Sequence, residues 1–356
     1  MRNPDRACIV IDSSPLRYLY TGLGQFSYHL LKELGKLQFN DARLLALVHP
    51  RFAKRIPAGI NVEHLTWLRR HAPPFLQSRL YPPCRVWHMT TENTRLTGIP
   101  HSARMILTIH GLHFLDESPA AEAARELSHV QRLVNRSEII TVVSKFTEGL
   151  VHSKLKTGHR RIEVIPNGIA QTAVEARQPA WAPPRKFLFT IGTFFARKNF
   201  LSLLPMMERL PEFDLVIAGD TNHDYGREVR AAVEAAHLEA RVFIPGEVTE
   251  AEKQWLYETG EAYVFPSVSE GFGIPVMESF HHGKPVFCSR HGSLPEVGGP
   301  HAFFWDSFDP DHMASLVQVR LGDENRQRME ARKLYAKQFT WAGVAERYQN
   351  IYRSLL

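Results

Sequence analysis

The chain has 356 residues, of which 44% are hydrophobic and 22% charged, as in a globular protein with two ordinary domains. No apolar run reaches the roughly 18 residues that a spanning helix needs, and the first residues lack the apolar core of a signal peptide. We therefore expect a cytoplasmic protein. Cys8, Cys84 and Cys288 are scattered without ligand spacing, which argues against a disulfide framework and a structural zinc site.

The net charge of +6 is distributed unevenly along the chain. Residues 1–180 carry 24 Lys and Arg against 14 Asp and Glu, whereas the remaining residues carry 19 against 23. The excess in the first part suggests an anionic partner, either an anionic membrane surface on the cytoplasmic side or an anionic acceptor. An ordinary solvated basic face is the alternative. Nucleic acid is not expected, because no nucleic-acid motif accompanies the charge.

The chain opens with a predicted strand over residues 8–11, followed by a glycine-containing loop and an amphipathic segment over residues 26–34. Gly22 and Gly24 could be the first two glycines of a dinucleotide fingerprint. However, Ser27 stands at the third glycine position, and Gly22 lies eleven residues beyond the strand. We therefore do not predict dinucleotide binding here.

Residues 69–85 are basic, aromatic and rich in proline. We interpret them as an irregular surface segment rather than a core element. Arg69, Arg70 and Arg79 are candidate contacts to a membrane or an acceptor. An ordinary exposed loop is the alternative interpretation.

Three further apolar runs predict strands over residues 44–48, 86–89 and 105–109. The last of them is followed by the sequence HGLH, which begins at His110 and lies where open parallel sheets bind ligands. A metal site is disfavoured, because these residues are in a turn and no third ligand is nearby. His110 is thus a candidate site residue, with an ordinary loop histidine as the alternative.

A stretch rich in proline and alanine, residues 171–185, is the best domain boundary in the sequence. It separates a predicted first domain, residues 1–170, from a second, residues 186–335. Apolar residues at helical spacing then predict a terminal helix within residues 336–356.

The second domain begins with a predicted strand over residues 187–191 and continues with the sequence GTFFARKN. Arg197 and Lys198 lie in this stretch at a predicted junction between loop and helix. An arginine fork and a lysine point charge suit a diphosphate, although adjacent basic residues also occur by chance.

A strand over residues 262–265, a glycine-containing loop, a helix over residues 275–282 and a strand over residues 285–288 are predicted next. A helix amino terminus preceded by glycines can bind phosphate or sugar hydroxyls through backbone N–H groups. Glu270 and Glu278 could accept hydrogen bonds from hydroxyls. The alternative is a solvated loop acid and an acid stabilised by the helix dipole.

The string SEGFGIPVMES, with seven residues between Glu270 and Glu278, resembles the E-x7-E signature of retaining GT-B glycosyltransferases of family 4, also called glycosyl transferases group 1. The stretch through Arg197 and Lys198 is similar to the GxxxxRKN motif of that family. The resemblance implies an α/β protein of the GT-B class, with two Rossmann-like domains facing a deep cleft. It also implies a terminal helix that packs back on the first domain.

The resemblance implies roles for individual residues. Glu270 would lie beside the donor sugar, and Glu278 would bind the ribose of the nucleotide. Backbone N–H groups of Phe272, Gly273 and Ile274 would contact the sugar and the phosphates.

Two motifs of the first domain also resemble the family. Gly22 and Gly24 resemble its GGxGR-type loop near the donor phosphates, although the first glycine and the arginine of that loop are replaced here. His110 resembles the active-site histidine, with Gly111 in place of the aspartate that usually follows.

The implied reaction is transfer of a hexose from a nucleotide sugar to a glycan or lipid-linked acceptor, with retention at the anomeric carbon. Arg197 and Lys198 would stabilise the leaving diphosphate together with the helix end, so neither a metal nor another cofactor is required. No DxD motif is present. The form of the RKN motif makes GDP-mannose the first choice of donor, with bacterial surface polysaccharide or lipopolysaccharide as the product. UDP sugars come second.

Two other functions remain open at this point. A nucleotide-sugar 2-epimerase could use the same architecture, as could a protein that binds a sugar or lipid carrier without catalysis. A dehydrogenase is disfavoured, because the region around Gly22 does not match the fingerprint.

Overall fold

A computed structural model describes residues 7–19, 21–170 and 174–356. Its strands are β1 (Ala7–Asp12), β2 (Ala42–Val48), β3 (Asn61–His64), β4 (Val86–Met89), β5 (Arg104–Ile109), β6 (Ile139–Val142), β7 (Arg161–Val164), β8 (Phe187–Ile191), β9 (Asp214–Ala218), β10 (Val242–Gly246), β11 (Ala262–Phe265), β12 (Val286–Ser289) and β13 (Phe303–Trp305). Its α-helices are α1 (Gly22–Leu34), α2 (Trp67–His71), α3 (Pro74–Leu80), α4 (Phe114–Glu117), α5 (Ala120–Arg136), α6 (Lys145–Lys154), α7 (Leu203–Glu208), α8 (Asp224–Ala235), α9 (Glu250–Thr259), α10 (Ile274–His281), α11 (Leu294–Gly298), α12 (Pro310–Gly322), α13 (Arg326–Ala336) and α14 (Trp341–Ser354).

The chain forms two compact units. The first unit consists of Met1–Gly168 together with Thr340–Leu356, and the second consists of Ile169–Phe339. The predicted linker, residues 171–185, belongs to the second unit, and its residues 171–173 lie outside the described part of the chain.

The first unit is built on a parallel sheet with the strand order β3-β2-β1-β4-β5-β6-β7 in the described residues. Its central strands are buried on both faces, which is why they read as continuous apolar runs in the sequence. Helix α14 packs against α1 and places Tyr348, Ile351 and Tyr352 in the core of this unit. The terminal helix therefore completes the hydrophobic core of the first unit.

The second unit contains another parallel sheet, with the order β10-β9-β8-β11-β12-β13 in the described residues. Its core packs helices α7, α8 and α12 against the sheet, with Phe194, Phe200 and Trp305 among the fully buried side chains. Two parallel sheets flanked by helices confirm the predicted α/β architecture. The three cysteines are buried and free.

The prediction for residues 69–85 was wrong. The segment contains most of α2 and all of α3, and Tyr81 and Cys84 lie in the hydrophobic core. Arg69 is a structural residue, because its guanidinium donates to the backbone oxygens of Leu80 and His64 and pairs with Glu63. The prolines that suggested an irregular segment instead begin α3, since proline is tolerated in the first turn of a helix.

Helix bounds also differ from the expectation near Gly22. Helix α1 begins at Gly22 and not at Phe26, because Thr21 caps it by accepting a hydrogen bond from the N–H of Gly24 at 3.3 Å. Gly22 and Gly24 therefore belong to a first helical turn and not to a loop.

None of the helices in the described ranges combines the length and the apolar character that crossing a lipid bilayer requires.

Candidate active site

The strand order of the second unit brings two loops together at the carboxyl edge of its sheet. The chain crosses over at the boundary between β8 and β11, so the loops after these two strands leave the sheet side by side. Ligands of open parallel sheets bind at such a crossover. The first loop carries Lys198, the second carries Glu270, and Lys198 Nζ lies 2.6 Å from Glu270 Oε1.

Lys198 is held by a short turn of helix rather than by an α-helix. A 3-10 turn at Ala196–Lys198 follows β8, and the N–H of Lys198 donates to the backbone oxygen of Phe195 at 2.9 Å. The side chain runs over Gly192, where an added Cβ would lie 3.4 Å from Lys198 Cε. Its ammonium lies 4.8 Å from the centroid of the Phe265 ring. Arg197 and Lys198, which the sequence predicts at a junction between loop and helix, lie in this 3-10 turn before α7 begins at Leu203.

Glu270 is fixed by its neighbours on the same edge of the sheet. The Ser267 hydroxyl lies 2.7 Å from Glu270 Oε1, and the Ser293 hydroxyl donates to the backbone oxygen of Glu270 at 3.0 Å. Gly292 has φ of +63°, and a Cβ there would lie 2.8 Å from the backbone nitrogen of Glu270. This position therefore accepts only glycine, because both the conformation and the space exclude a side chain.

The Lys198–Glu270 pair is buried and charged. Glu270 is only 9% exposed and Lys198 8%, so Glu270 is not a solvated loop acid. Burial raises the pKa of Glu270, but the charges of Lys198 and Arg197 and hydrogen bonds from Lys198 and Ser267 lower it more, so the net pKa is below its usual value. The carboxylate is therefore ionised at neutral pH.

Arg197 lies against the same loops. Its backbone oxygen accepts hydrogen bonds from the N–H of Val268 at 2.8 Å and from the Ser267 hydroxyl at 3.0 Å. Its guanidinium carbon lies 4.7 Å from the centroid of the Phe195 ring, a cation–π distance. These contacts tie the loop after β8 to the loop after β11.

Helix α10 begins at the same edge. Gly273 precedes it with φ of +95°, the left-handed region that favours glycine, and offers no side chain to cap the first turn. Ile274 is the first helical residue, and Phe272 is buried beside the loop. The backbone N–H groups of Gly273 and Ile274 and the positive end of the helix dipole make this terminus suitable for an anion, whereas Pro275 has no N–H and that of Val276 donates to Gly273.

Glu278 also lies on α10, and a second helix holds its carboxylate. Lys253 Nζ lies 2.7 Å from its Oε1, and the Tyr257 hydroxyl lies 2.7 Å from its Oε2. Burial raises the pKa of Glu278, but the charge of Lys253 and hydrogen bonds from Lys253 and Tyr257 lower it by more. The net pKa is below its usual value, so the carboxylate is ionised. The main stabilisation of Glu278 is thus a specific ion pair, not the helix dipole.

His110 belongs to the first unit, at the carboxyl end of β5. Its Nε2 lies 2.9 Å from the backbone oxygen of Thr90, and its backbone N–H donates to Glu92 Oε2 at 3.0 Å. Burial lowers the pKa of His110 to about 4, although the hydrogen bond to Thr90 raises it in part. The imidazole is neutral at pH 7. A carbonyl oxygen can only accept, so Nε2 carries the hydrogen and Nδ1 is the unprotonated nitrogen.

The two glycines predicted as ligand contacts, Gly22 and Gly24, differ in what surrounds them. A Cβ at Gly24 would lie 2.0 Å from the backbone oxygen of Tyr18, whereas nothing lies within 4 Å of a Cβ at Gly22. Gly24 is therefore explained by close packing of α1 against the preceding turn. A ligand contact at Gly22 and Gly24 stays a prediction.

The structure brings together the predicted residues of the second unit, from Arg197 to Glu278. It places His110, Gly22 and Gly24 in the first unit. Sequence reasoning missed Ser267, Lys253, Tyr257 and Glu92. Only Lys253 and Tyr257 carry a visible signal, their spacing of four residues on one helix. In the described ranges, no group of three or more His, Cys, Asp and Glu side chains is placed to hold a metal ion.

The sequence is also similar to known proteins. The family described as glycosyl transferases group 1 matches residues 172–338. O-antigen chain mannosyltransferase B of Escherichia coli is 26% identical to the chain over 390 residues, which cover 98% of this chain and 100% of that protein.

Solved structures show the same fold. Sucrose-phosphate synthase from Thermosynechococcus elongatus has a TM-score of 0.76 at 16% identity and covers 98% of this chain and 99% of its own. Anabaena HepE, solved in complex with UDP-glucose, has a TM-score of 0.76 at 15% identity with the same coverage. These likenesses show that the chain has the GT-B fold, and its residues 172–338 match the glycosyl transferases group 1.

Proposed function

We propose that this protein is a glycosyltransferase, specifically a retaining hexosyltransferase whose second unit binds a nucleotide-sugar donor. The observation that supports this most strongly is the buried Lys198–Glu270 pair at the sheet crossover, in the same loop system that leads into the uncapped start of α10. An anionic leaving group and a sugar that gains positive charge in the transition state require charges of both signs in one place. The two loops supply them.

The donor diphosphate is assigned to the cations and the helix terminus. Arg197, Lys198 and the backbone N–H groups of Phe272, Gly273 and Ile274, just before and at the start of α10, would share the charge of the leaving nucleoside diphosphate. Removing a single preorganised donor of this kind raises the free energy of the transition state by about 3 to 4 kcal/mol. We propose that the enzyme needs no metal ion, because these groups can carry the charge that a divalent cation would otherwise carry.

In the reaction, the bond from the anomeric carbon to the diphosphate oxygen breaks and a bond from the acceptor oxygen forms on the same face. The proton of the acceptor hydroxyl leaves with the diphosphate. Glu270 stays ionised, so it would accept a hydrogen bond from a sugar hydroxyl and stabilise positive charge at the anomeric carbon. Glu278 would accept hydrogen bonds from the ribose hydroxyls.

His110 is assigned to hydroxyl recognition in the first unit. Its neutral ring has Nδ1 as an acceptor, so it would bind a sugar hydroxyl instead of donating a proton. The glycines Gly22 and Gly24 would lie near the donor phosphates, as the family resemblance suggests.

Mannose is the first choice of donor sugar, transferred from GDP-mannose. The support is the relative that spans the whole chain, which is named as a mannosyltransferase of the O-antigen chain. The same name suggests a glycan or lipid-linked acceptor in bacterial polysaccharide or lipopolysaccharide assembly. A structural neighbour in complex with UDP-glucose makes UDP sugars the second choice.

A transfer assay tests this function. The purified protein is incubated with GDP-mannose, UDP-glucose, UDP-galactose or UDP-GlcNAc and a lipid-linked glycan acceptor, with and without EDTA. We expect acceptor-dependent release of one nucleoside diphosphate, insensitivity to EDTA, and a product with the donor's anomeric configuration by NMR. Inversion would contradict retention. An epimer formed from UDP-GlcNAc without acceptor would indicate an epimerase, and no turnover would favour a non-catalytic binding protein.

We further propose that the basic first half contacts an anionic membrane at the cytoplasmic face. Arg79 and Arg85 are exposed in the first unit, whereas Arg69 is used internally. Liposome sedimentation should show weaker binding of Arg79→Ser to vesicles with anionic lipid at low salt, and equal behaviour on neutral vesicles. Unchanged binding would contradict a contact through Arg79. Arg69→Ser is unsuitable for this test, because it removes structural hydrogen bonds.

A further inference from the structure

Helix α9 presents two donors to a single carboxylate on α10. Lys253 and Tyr257 are four residues apart and therefore lie on one face of α9. Each donates to a different oxygen of Glu278, with both distances at 2.7 Å. Two donors from one rigid helix fix the rotation of the carboxylate as well as its position.

The Tyr257 donor is itself held in place. Tyr257 is only 2% exposed, and its ring stacks on the His282 imidazole at a centroid distance of 5.2 Å and an interplanar angle of 5°. The Tyr257 ring also packs against the Phe189 ring in a T-shaped arrangement, with a centroid distance of 5.4 Å. Burial and the nearby Glu278 carboxylate hold the pKa of Tyr257 well above its usual value, so the hydroxyl keeps its proton and donates.

The carboxylate keeps capacity for a ligand. An ionised carboxylate has about four acceptor sites, of which Lys253 and Tyr257 use two. The side chains of Glu278 and Lys253 are 14% and 24% exposed, so the group is at the surface edge and not sealed in the core. A vicinal ribose diol has two O–H donors, which matches the two acceptor sites that remain.

We propose that Lys253 and Tyr257 are positioning residues that orient Glu278 for the ribose diol and so set a preference for ribonucleotides over deoxyribonucleotides. The inference rests on the proposed function of Glu278 as the ribose ligand. Neither residue touches the sugar being transferred. Their effect is confined to the nucleotide and acts through the Glu278 carboxylate.

The experiment compares dissociation constants by isothermal titration calorimetry. The probes are GDP, 2′-deoxy-GDP, UDP and 2′-deoxy-UDP, measured with the wild type, Lys253→Met, Tyr257→Phe and Glu278→Gln. Lys284→Met is the matched control, because Lys284 also donates to α9, at the backbone oxygen of Glu258 (2.9 Å). Circular dichroism checks that each variant is folded, and Lys253→Arg tests rescue by a conservative cation.

For the preferred base, we expect the wild type to bind the ribonucleotide about tenfold or more tightly than the deoxyribonucleotide, since hydrogen bonds to a charged group have effects of this size. Lys253→Met and Tyr257→Phe should each weaken ribonucleotide binding about tenfold and deoxyribonucleotide binding by a clearly smaller factor, because the deoxyribonucleotide has only its 3′-hydroxyl to lose as a Glu278 contact. Lys253→Arg should recover part of the preference, and Lys284→Met should keep all of it.

The outcomes separate this inference from the function on which it rests. If Glu278→Gln loses the ribose preference but both α9 variants keep it, the positioning role is wrong and the ribose role of Glu278 stands. Equal losses for ribo- and deoxyribonucleotides in the α9 variants would likewise show a merely structural role. If the wild type binds both sugars equally, the ribose assignment fails, and if it binds no nucleotide, the proposed function fails.

Discussion

Glu270 and Glu92 occupy corresponding places in the two units and behave in opposite ways. Each follows the strand that lies across the crossover of its sheet, β11 in the second unit and β4 in the first. Both are buried, at 9% and 4% exposure. Glu270 pairs with the Lys198 ammonium and has a lowered pKa, whereas Glu92 accepts hydrogen bonds from neutral groups, and burial raises its pKa to about 7. Burial alone thus neutralises an acid, and an adjacent cation keeps it charged.

The difference extends to the surroundings of each acid. On the carboxyl side of its sheet, the second unit holds two largely buried ion pairs among the described residues, at Glu270 and at Glu278. The first unit holds neutral groups instead: burial lowers the pKa of His88 to about 3 and that of His110 to about 4. A charged edge suits a diphosphate and a sugar that gains positive charge. A neutral polar edge suits hydroxyl groups, which agrees with an acceptor role for the first unit.

Removing the cation should have the largest effect. Lys198→Ala leaves Glu270 buried without its ammonium, so its pKa should rise as that of Glu92 does. Loss of one preorganised charge at the leaving group should lower kcat by about 100- to 1000-fold. Steady-state transfer kinetics measure this, and circular dichroism checks the fold. Activity within about threefold of the wild type would contradict the assigned role.

Glu92→Gln should stabilise the protein at alkaline pH. The pKa of Glu92 is about 7 in the folded state, above the ordinary value of 4.5. Its contribution to the free energy of unfolding is therefore complete below pH 4.5 and is lost as the pH rises to about 7. Glutamine keeps the acceptor for the His110 N–H but cannot ionise. We expect the variant to exceed the wild type by about 3 kcal/mol in free energy of unfolding at pH 8, with a smaller gain at pH 5.

Urea unfolding at the two pH values checks this prediction. A gain that is the same at pH 5 and pH 8, or a loss at pH 8, would show that Glu92 is not held in its neutral form by burial.

Tyr352→Phe tests whether the neutral interior of the first unit depends on complete hydrogen bonding. The Tyr352 hydroxyl lies 2.7 Å from His88 Nδ1, and both groups are buried. The variant leaves His88 Nδ1 without this partner, so we expect a loss of about 1 to 3 kcal/mol in free energy of unfolding. Urea midpoints measure it against Tyr18→Phe, whose side chain is exposed. A loss no larger than that control would mean that the bond contributes nothing.

The smallest effect is expected at an exposed ion pair of the second unit. Lys333 and Glu330 form a pair whose side chains are 35% and 56% exposed. Because water screens such pairs, Lys333→Ala should change the free energy of unfolding by less than about 1 kcal/mol and leave transfer unchanged. A change comparable to that of Lys198→Ala would show that burial is not what separates the two pairs.

Much of this architecture is readable from the sequence. Buried parallel strands are continuous apolar runs, which is why β4, β8 and β11 were predicted with the bounds that they have. The E-x7-E and RKN strings predicted Glu270, Glu278, Arg197 and Lys198 as site residues, and the structure places Lys198 in contact with Glu270. The exposed strand β3, with the sequence NVEH, has no such run and was missed.

The contacts of the site residues could not be predicted from the sequence. Lys198 and Glu270 are 72 residues apart, and only the strand order brings them together. Glu92 lies in the sequence TTEN, which has no catalytic spacing, and its pKa depends on burial that only the fold determines. In residues 69–85, the prolines led to the prediction of an irregular segment, although one of them begins a short helix and two residues of the segment lie in the core.

The most direct test of the central claim is a thermal-shift panel on the wild type and Lys198→Ala. The ligands are GDP-mannose, UDP-glucose, UDP-galactose, UDP-GlcNAc and the free diphosphates, with and without EDTA. A ligand at about 100 Kd should stabilise the folded state by roughly 2.7 kcal/mol. We predict a selective shift that EDTA does not change and that Lys198→Ala abolishes. No shift with any nucleotide, or an equal shift in the variant, would contradict a donor site built on the Lys198–Glu270 pair.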